Sequence, residues 1–385
     1  MQKNIYTGSD CLISPLGLDS DTNFNGLAEG RSALCQFHPG YGSQPVCASL
    51  FDESIVDDAF GRLGNPVLFT RLEKISILAI AGVLKQSVVS LSDSRTLLLY
   101  STAKGNINLL ERQGPGKIAP DRVYLPVFAG VLGSYFNCAN TPLILSNACI
   151  SGLLALVIAK RLIGEGRYDH VVVAGGDIVS EFTVSGFRSF NALSDEPCRP
   201  YDALRNGINL GEAAAAVVLS RQRSVAADGF ISIGGGASAN DANHISGPSR
   251  TGEGLFRAVE AAKLVAPGVS PGFISAHGTA TGFNDEMESI AFTRSGYTAV
   301  PVQSLKGYYG HTLGAAGLLE SIVGIHSLRK GILIGSAGFS EKGVSGDVEI
   351  LKNTRSQQVD SFLKTASGFG GCNAAAFFIR EGSAE

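Results

Sequence analysis

Short apolar segments alternate with longer amphipathic stretches along the chain. The apolar segments predict strands, which we place at residues 143–146, 170–176, 213–220, 230–236, 273–277, 300–304 and 374–380. The amphipathic stretches predict helices at residues 71–87, 149–164, 252–265, 284–294 and 312–329. Strands that alternate with helices in this way are typical of an α/β protein. We therefore predict an α/β fold that no low-complexity linker divides.

Two of the predicted helices begin with similar sequences, NACISGLLALVIAKRLIGEG and YGHTLGAAGLLESIVGIHSLRKG. Each begins with a potentially reactive residue, Cys149 or His311, followed three positions later by a glycine. A further glycine is predicted to end each helix, at Gly164 and Gly331. Chance similarity between two buried helices is the alternative explanation.

The favoured explanation is an internal repeat of two similar α/β halves. The N-terminal half, residues 1–225, would carry the cysteine, and the C-terminal half, residues 226–385, would carry the histidine. Helix starts rich in glycine and alanine allow close packing at a crowded centre. The two central helices would then direct their N-termini at one site, where Cys149 and His311 meet.

Composition and charge limit the classes of function. Hydrophobic residues make up 44% of the 385 residues and charged residues only 17%, which predicts extensive burial, including at a subunit interface. The formal net charge of -3 gives no general attraction to nucleic acid or anionic lipid. The start of the sequence has no signal-peptide pattern, and no apolar run approaches the ~20 residues of a membrane helix. We expect a cytoplasmic protein with no nucleic-acid or membrane partner.

The cysteines offer the first candidate for chemistry. There are seven, scattered and without a C-x-x-C pair, which argues against both a disulfide framework and a structural zinc site. Cys149 lies where an apolar strand gives way to a helix. A buried structural cysteine is the simpler explanation, but a helix N-terminus would lower the thiol pKa and make the sulfur a nucleophile. The others are interpreted as structural: Cys11, Cys35, Cys47, Cys138, Cys198 and Cys372.

Further polar candidates lie in two segments of the C-terminal half. SAHGTATGFNDEMES contains His277, with Asp285 and Glu288 eight and eleven residues later. SLKGYYGHTLGAAG contains Lys306 and His311. Each residue alone has an ordinary structural explanation, but their combination in this order makes those explanations jointly improbable. The remaining histidines are interpreted as structural: His38, His170, His244 and His326.

Together with the cysteine segment and SGFGGCNAA, in which Phe369 lies between glycines, these motifs resemble those of the β-ketoacyl-acyl carrier protein synthases of the ketosynthase I/II type. CRPYDALRNGINLGEAAAA and SANDANH resemble two further segments of that family. The resemblance covers most of the chain. It implies a thiolase-like α/β fold of two similar βαβαβαββ halves, packed as an α/β/α/β/α arrangement of five layers.

The resemblance also implies a role for each motif residue. Cys149 would accept an acyl group as a thioester and surrender it to a carbon nucleophile. His277 and His311, both neutral, would donate N–H bonds to the enolate oxygen that forms when malonyl thioester loses CO2. Lys306 and Glu288 would pair behind the histidines and fix them, with Asp285 at the neighbouring acidic position.

The glycine loop around Phe369 is expected to act twice. The backbone N–H groups of Phe369 and Cys149 would form an oxyanion hole, and the Phe369 ring would gate the acyl pocket. The sequence departs from the usual motifs at Gly282, Gly307 and Cys372, where proline, serine and threonine are expected. These departures leave the acyl chain length open and favour a specialised polyene or polyketide pathway over housekeeping fatty acid synthesis.

The predicted function is a 3-oxoacyl-acyl carrier protein synthase, an acyltransferase that performs a decarboxylative Claisen condensation. It would need no cofactor beyond the phosphopantetheine of its acyl carrier protein, and would form a homodimer, with a heterodimer with a paralogue as the alternative. A non-catalytic chain-length partner subunit is the main rival function. A cysteine hydrolase would leave the second histidine unexplained, and a Cys-His-Asn enzyme does not fit because His311 stands where that branch has asparagine.

Overall fold

The secondary structure alternates as the sequence predicts. The computed structural model describes residues 4–37, 45–111, 118–241, 243–244 and 247–382, so His38 lies outside the described residues. The strands are β1 Tyr6–Ile13, β2 Cys35–Phe37, β3 Val46–Ser49, β4 Thr96–Ser101, β5 Leu143–Leu145, β6 His170–Asp177, β7 Leu210–Gly211, β8 Ala213–Ser220, β9 Ile231–Asn240, β10 Phe273–Ser275, β11 Pro301–Gln303, β12 Ile332–Leu333, β13 Glu349–Ile350, β14 Arg355–Ser356, β15 Ser361–Gly368 and β16 Cys372–Arg380. The helices are α1 Ser20–Ala28, α2 Glu53–Phe60, α3 Arg71–Lys85, α4 Leu125–Tyr135, α5 Ser151–Gly164, α6 Glu181–Ser189, α7 Glu253–Leu264, α8 Gly282–Arg294, α9 Lys306–Tyr309 and α10 Ala316–Lys330.

One sheet of eleven strands organises the described chain, in the order β13-β11-β10-β15-β16-β9-β1-β8-β6-β4-β5. Its two parts have the same design. In β5-β4-β6-β8-β1 and in β11-β10-β15-β16-β9, the second strand pairs in parallel with the first and the third, and the last three strands pair antiparallel. The parts join where β1 meets β9 at the pair Tyr6 and Ser232. This repeat confirms the predicted fold of two similar halves.

The layers follow from which faces are apolar. α3 packs on the outer face of β1, β6 and β8, and α7 packs on the outer face of β9 and β16. α5 and α10 pack against each other between the two parts of the sheet and contact strands of both. The strand β8, AAAAVVLS, is buried along its whole length because helices cover both of its faces. The predicted five layers are therefore present. The predicted domain boundary at residue 225 lies between β8 and β9, and the division of the chain into two domains there stays a prediction.

Two details of the predicted repeat differ from the structure. Gly331 ends α10 in the left-handed conformation with φ +64°, as predicted, but Gly164 is the last helical residue of α5 and the left-handed glycine there is Gly166, with φ +73°. His311 does not open α10, because a 3-10 turn at Leu313–Ala315 separates the two. Among the described residues, no helix is both long and apolar enough to cross a lipid bilayer.

Candidate active site

Cys149 lies in a strained turn between β5 and α5. The preceding residue, Ala148, has a φ of +45°, which non-glycine residues rarely adopt. The hydroxyl of Ser151 closes the turn, because it accepts a hydrogen bond from the Asn147 N–H (2.7 Å) and donates one to the Ala148 carbonyl (2.7 Å). Cys149 is thereby held directly before the N-terminus of α5 and is 8% exposed.

The central helices come into backbone contact immediately beyond this turn. A Cβ atom on Gly152 would lie 2.6 Å from the Leu318 nitrogen and 2.9 Å from the Gly314 carbonyl oxygen. A Cβ atom on Gly317 would lie 2.6 Å from the Leu153 nitrogen. These positions must therefore be glycine for α5 and α10 to approach this closely. The predicted close packing at the helix starts is present, and it holds the cysteine segment against the histidine segment.

The loop that carries His277 is held by two carboxylates in the first turns of α8. Glu288 accepts hydrogen bonds from the N–H groups of His277 (2.8 Å) and Gly278 (2.6 Å). Asp285 accepts one from the Thr279 N–H (2.8 Å). Burial raises the pKa of Asp285 to about 6, although these backbone donors oppose the shift. Both acidic residues therefore position the loop backbone rather than the imidazole itself.

Lys306 contacts His277 from the other side. Its Nζ donates to the His277 carbonyl oxygen (2.6 Å) and lies 3.3 Å from Nδ1 of the same residue. Its ionic partner is Glu320 of α10, with Nζ and Oε1 2.8 Å apart. The predicted pairing of Lys306 with Glu288 is therefore wrong: Glu288 is occupied by backbone N–H groups, and Glu320 neutralises the lysine. Both residues still converge on His277.

The structure brings the predicted nucleophile and both histidines together. The sulfur of Cys149 and a ring nitrogen of each of His277 and His311 all lie within 4.8 Å of one another. The two imidazole rings are 5.1 Å apart between centroids and meet edge to face at 86°. Both ring nitrogens of His311 are buried without a hydrogen-bond partner among the described residues. Unpartnered buried donors of this kind are suited to bind a ligand atom.

Burial sets the protonation states of this group. It raises the pKa of the Cys149 thiol to about 12, against the opposing effects of Lys306 and a hydrogen bond from the Phe369 backbone. The expectation of a lowered thiol pKa is therefore wrong, because desolvation outweighs the groups that favour the thiolate. Burial and the charge of Lys306 hold the pKa of both His277 and His311 well below the ordinary value. Both imidazoles are neutral at pH 7, as predicted.

The group lies in a cavity of about 730 Å³. Phe369, at the tip of the β15–β16 hairpin, lines it together with Phe187 and Phe190, whose ring centroids lie 5.4 and 5.2 Å from that of Phe369. Gly370 and Gly371 form the rest of the tip with φ values of +85° and +76°, which allow the hairpin to turn so sharply. The ring of Phe369 thus lies at the cavity wall, on a loop whose backbone Cys149 contacts.

Three buried charged residues of the site, Asp177, Glu320 and Lys364, are absent from the sequence prediction. Asp177 accepts hydrogen bonds from the N–H groups of Ala103 (2.8 Å) and Gly314 (2.7 Å), and so ties the two halves together beside the active site. Burial raises its pKa to about 6. Glu320 and Lys364 are also buried here. An isolated charge within an otherwise apolar helix or strand is the signal that would identify them.

Comparison with known proteins agrees with this geometry. Residues 90–224 match the family model described as "Beta-ketoacyl synthase, N-terminal domain" and residues 231–340 match that described as "Beta-ketoacyl synthase, C-terminal domain". The chain is 31% identical to a putative polyketide beta-ketoacyl synthase 1 of Streptomyces halstedii, with 97% of each chain covered. It is also 31% identical to 3-oxoacyl-[acyl-carrier-protein] synthase 2 of Vibrio harveyi, with 95% of this chain and 96% of the relative covered.

A solved structure supports the fold. A ketosynthase in complex with its chain length factor from Xenorhabdus doucetiae superposes with a TM-score of 0.85 at 23% identity, and 98% of each chain is covered. The fold is therefore the thiolase-like fold of the ketosynthases. With the motifs, the fold and these relatives in agreement, the chain belongs to the β-ketoacyl synthase family and is a condensing enzyme of the acyltransferase type.

Proposed function

We propose that the protein is a 3-oxoacyl-acyl carrier protein synthase, which condenses an acyl group held on Cys149 with malonyl-acyl carrier protein. The observation that carries this proposal is the meeting of a thiol and two neutral imidazoles within 4.8 Å at one cavity. A thiol can hold the acyl group, and two N–H donors can stabilise the enolate of the second substrate. One relative is named a putative polyketide beta-ketoacyl synthase and the other a 3-oxoacyl-[acyl-carrier-protein] synthase. The proposal covers both polyketide and fatty acid synthesis.

In the first step, the acyl group moves from the carrier to the enzyme. A neutral imidazole of the pair accepts the Cys149 proton while the sulfur attacks the thioester carbonyl, since the thiol is protonated at neutral pH. The backbone N–H groups of Cys149 and Phe369 stabilise the resulting oxyanion. The carbon–sulfur bond to the carrier breaks, and the carrier thiolate leaves with the proton.

In the second step, the malonyl carboxylate is lost as CO2 and its electron pair forms an enolate. The ammonium of Lys306 faces Nδ1 of His277, so this nitrogen is the acceptor and Nε2 carries the proton of the neutral ring. His277 and His311 donate N–H bonds to the enolate oxygen. The enolate carbon attacks the acyl thioester, and Cys149 leaves as a thiolate that takes up a proton.

A non-catalytic chain-length partner subunit is the second candidate function, because related structures contain a ketosynthase with its chain length factor. The complete set of Cys149, His277 and His311, all buried and in mutual reach, favours the catalytic function. A partner subunit has no use for a nucleophile and two enolate donors at one site. We therefore propose that the chain is a catalytic ketosynthase and not a partner subunit.

We further propose a cytoplasmic homodimer that works with an acyl carrier protein and needs no metal or cofactor of its own. β5 is an end strand of the described sheet, and Leu143 on it is 46% exposed. α4 beside it carries the apolar sequence LPVFAGVLGSY, of which only Phe128, Ala129 and Leu132 are buried. An unpaired apolar sheet edge next to such a helix suits pairing with a second copy. A heterodimer with a paralogue is the alternative.

One experiment tests the function directly. The purified protein is incubated with a panel of acyl-acyl carrier protein thioesters and then with malonyl-acyl carrier protein. Mass spectrometry should show the acyl mass on the peptide that contains Cys149, followed by its discharge and the release of CO2 and 3-oxoacyl carrier protein. The proposal would be refuted if no primer acylated the protein. It would also be refuted if primers acylated the protein but none of them led to condensation. Sedimentation at micromolar concentration distinguishes the homodimer from a monomer.

A further inference from the structure

A second buried lysine lies behind the histidine pair. Lys364 stands in the middle of β15, where alternate residues face opposite sides of the sheet. Its neighbours at two residues' distance, Phe362 and Ala366, belong to the apolar core between the two parts of the sheet. Lys364 therefore places an ammonium group in an apolar face, where it is fully buried. Burying a charge in this way costs desolvation free energy unless the charge is paired and hydrogen-bonded.

The surroundings of this lysine are specific. Its Nζ lies 2.6 Å from Oε2 of Glu320, and it donates to the carbonyl oxygens of Ser275 (3.0 Å) and Ala276 (3.1 Å). The two carbonyls belong to the residues immediately before His277. Glu320 offers its other oxygen to Lys306, so one carboxylate bridges two buried lysines. Two ammonium groups and one carboxylate give this cluster a net charge of +1.

We propose that Lys364 is a positioning residue of the condensing site: it fixes the backbone before His277 and, through Glu320, adds the excess positive charge that keeps both imidazoles neutral and hydrogen-bond donating. This inference rests on the proposed function of the histidine pair. Lys364 is not among the residues that line the cavity, and its polar partners are Glu320 and the carbonyls of Ser275 and Ala276, so it acts through its neighbours. With only Lys306 and Glu320 present, the cluster would be neutral.

Charged and titratable groups reach the imidazoles from several elements. His277 is influenced by Lys306, His311 and Lys364, and His311 by the two lysines; after burial, these are the causes that lower the pKa of each ring. Glu288 from α8 accepts hydrogen bonds from the backbone of the His277 loop and from the side chains of Tyr201, Asn284 and Thr365. Its charge also acts on Lys364. Cys149 presents a protonated thiol. Burial is the larger cause, and the two lysines add the positive charge that further opposes protonation of either imidazole.

The test compares three variants. Lys364→Met removes the charge while keeping an unbranched chain, and reduces the cluster from +1 to neutral. The double variant Lys364→Met/Glu320→Gln returns the net charge to +1 on Lys306 alone. Lys74→Met is the matched control, because Lys74 is a buried lysine in α3 that pairs with Glu53 and Asp57, away from the described site.

Two measurements are made on each variant: the pH dependence of CO2 release from malonyl-acyl carrier protein, and the titration of the imidazole nitrogens by NMR. For Lys364→Met we expect the pH midpoints of the His277 and His311 titrations to rise by about one unit, because a nearby cation no longer opposes protonation. The pH below which CO2 release declines should rise by the same amount. The double variant should return both to the wild-type values. Lys74→Met should change neither.

The outcomes separate the possibilities. A purely structural role for Lys364 would lower stability without moving either midpoint, or would move it without recovery in the double variant, and either result overturns the proposal. If the methionine variant does not fold, Lys364→Gln replaces it; if that also fails to fold, the residue is structural and the proposal is overturned. A wild-type protein that releases no CO2 would refute the proposed function, whereas the NMR titration would still decide the role of Lys364.

Discussion

The two halves of the molecule share one strand order but supply opposite kinds of chemistry. The N-terminal half contributes a neutral thiol, held by a strained turn and backbone groups. The C-terminal half contributes two imidazoles backed by buried carboxylates and lysines. A nucleophile that forms a thioester needs backbone N–H groups and a proton acceptor, whereas an enolate needs surroundings whose charge is controlled.

The largest expected effect follows from removing the nucleophile. Cys149→Ala should abolish acyl transfer to the protein, because Cys149 is the one cysteine among the described residues that line the cavity. The Cys149→Ala variant should retain measurable decarboxylation of malonyl-acyl carrier protein, because both imidazole donors remain. Mass spectrometry of the protein and a CO2 assay measure the two reactions separately. Residual acylation at the wild-type rate would show that the nucleophile is elsewhere.

The protonated state of the thiol can be tested by alkylation. Because burial raises the pKa of Cys149 to about 12, its reaction with iodoacetamide should accelerate about tenfold for each pH unit between pH 7 and 10. The rate is followed by mass spectrometry of the Cys149 peptide, with Cys149→Ala as the background. A plateau near pH 7 would instead show that the helix N-terminus activates the thiol in the free protein.

The histidine variants sharpen the contrast between the halves. His277→Ala and His311→Ala should each slow decarboxylation about a hundredfold, because each removes one N–H donor worth about 3 kcal/mol of transition-state stabilisation. At least one of the two should still accept an acyl group on Cys149. CO2 release and thioester labelling are measured on both. Parallel loss of both reactions in folded protein would contradict the division of labour.

The smallest expected effect concerns the hairpin tip. Phe369→Ala should alter acyl transfer and primer-length preference severalfold, with little change in stability, because the ring lies at the cavity wall and glycines allow its backbone to move. Acylation rates across a series of primer lengths, together with thermal unfolding, measure both effects. Wild-type kinetics with every primer would identify Phe369 as an ordinary packing residue.

The sequence predicts most elements that have strong periodicity. The predicted α3, α5, α7, α8 and α10 are all present, and so are the seven predicted strands. β1 and β15 were not predicted, because polar residues such as Asp10 and Lys364 interrupt their apolar pattern. These residues are buried only through partners that lie far away in the sequence, His326 and Glu320 respectively. Propensity and periodicity contain no information about such partners.

The candidate site shows the same limit. The motif order leads to Cys149, His277 and His311, which the structure brings together. It does not give the partner of Lys306, because Glu288 and Glu320 are both plausible from spacing and only the packing of α10 decides between them. It also gives the wrong direction for the Cys149 pKa, because the degree of burial depends on the covering hairpin.

The contact at Gly152 has a consequence for how this enzyme can vary. Where two helices touch backbone to backbone, the gap between their ends cannot be tuned by exchanging one side chain for another. A single added methyl group would act as a wedge and move the sulfur away from the imidazoles together with the whole helix. The distance between Cys149 and the imidazoles is therefore fixed by the helix crossing. Changes in substrate preference must arise from residues in the walls of the cavity, without a change at this crossing.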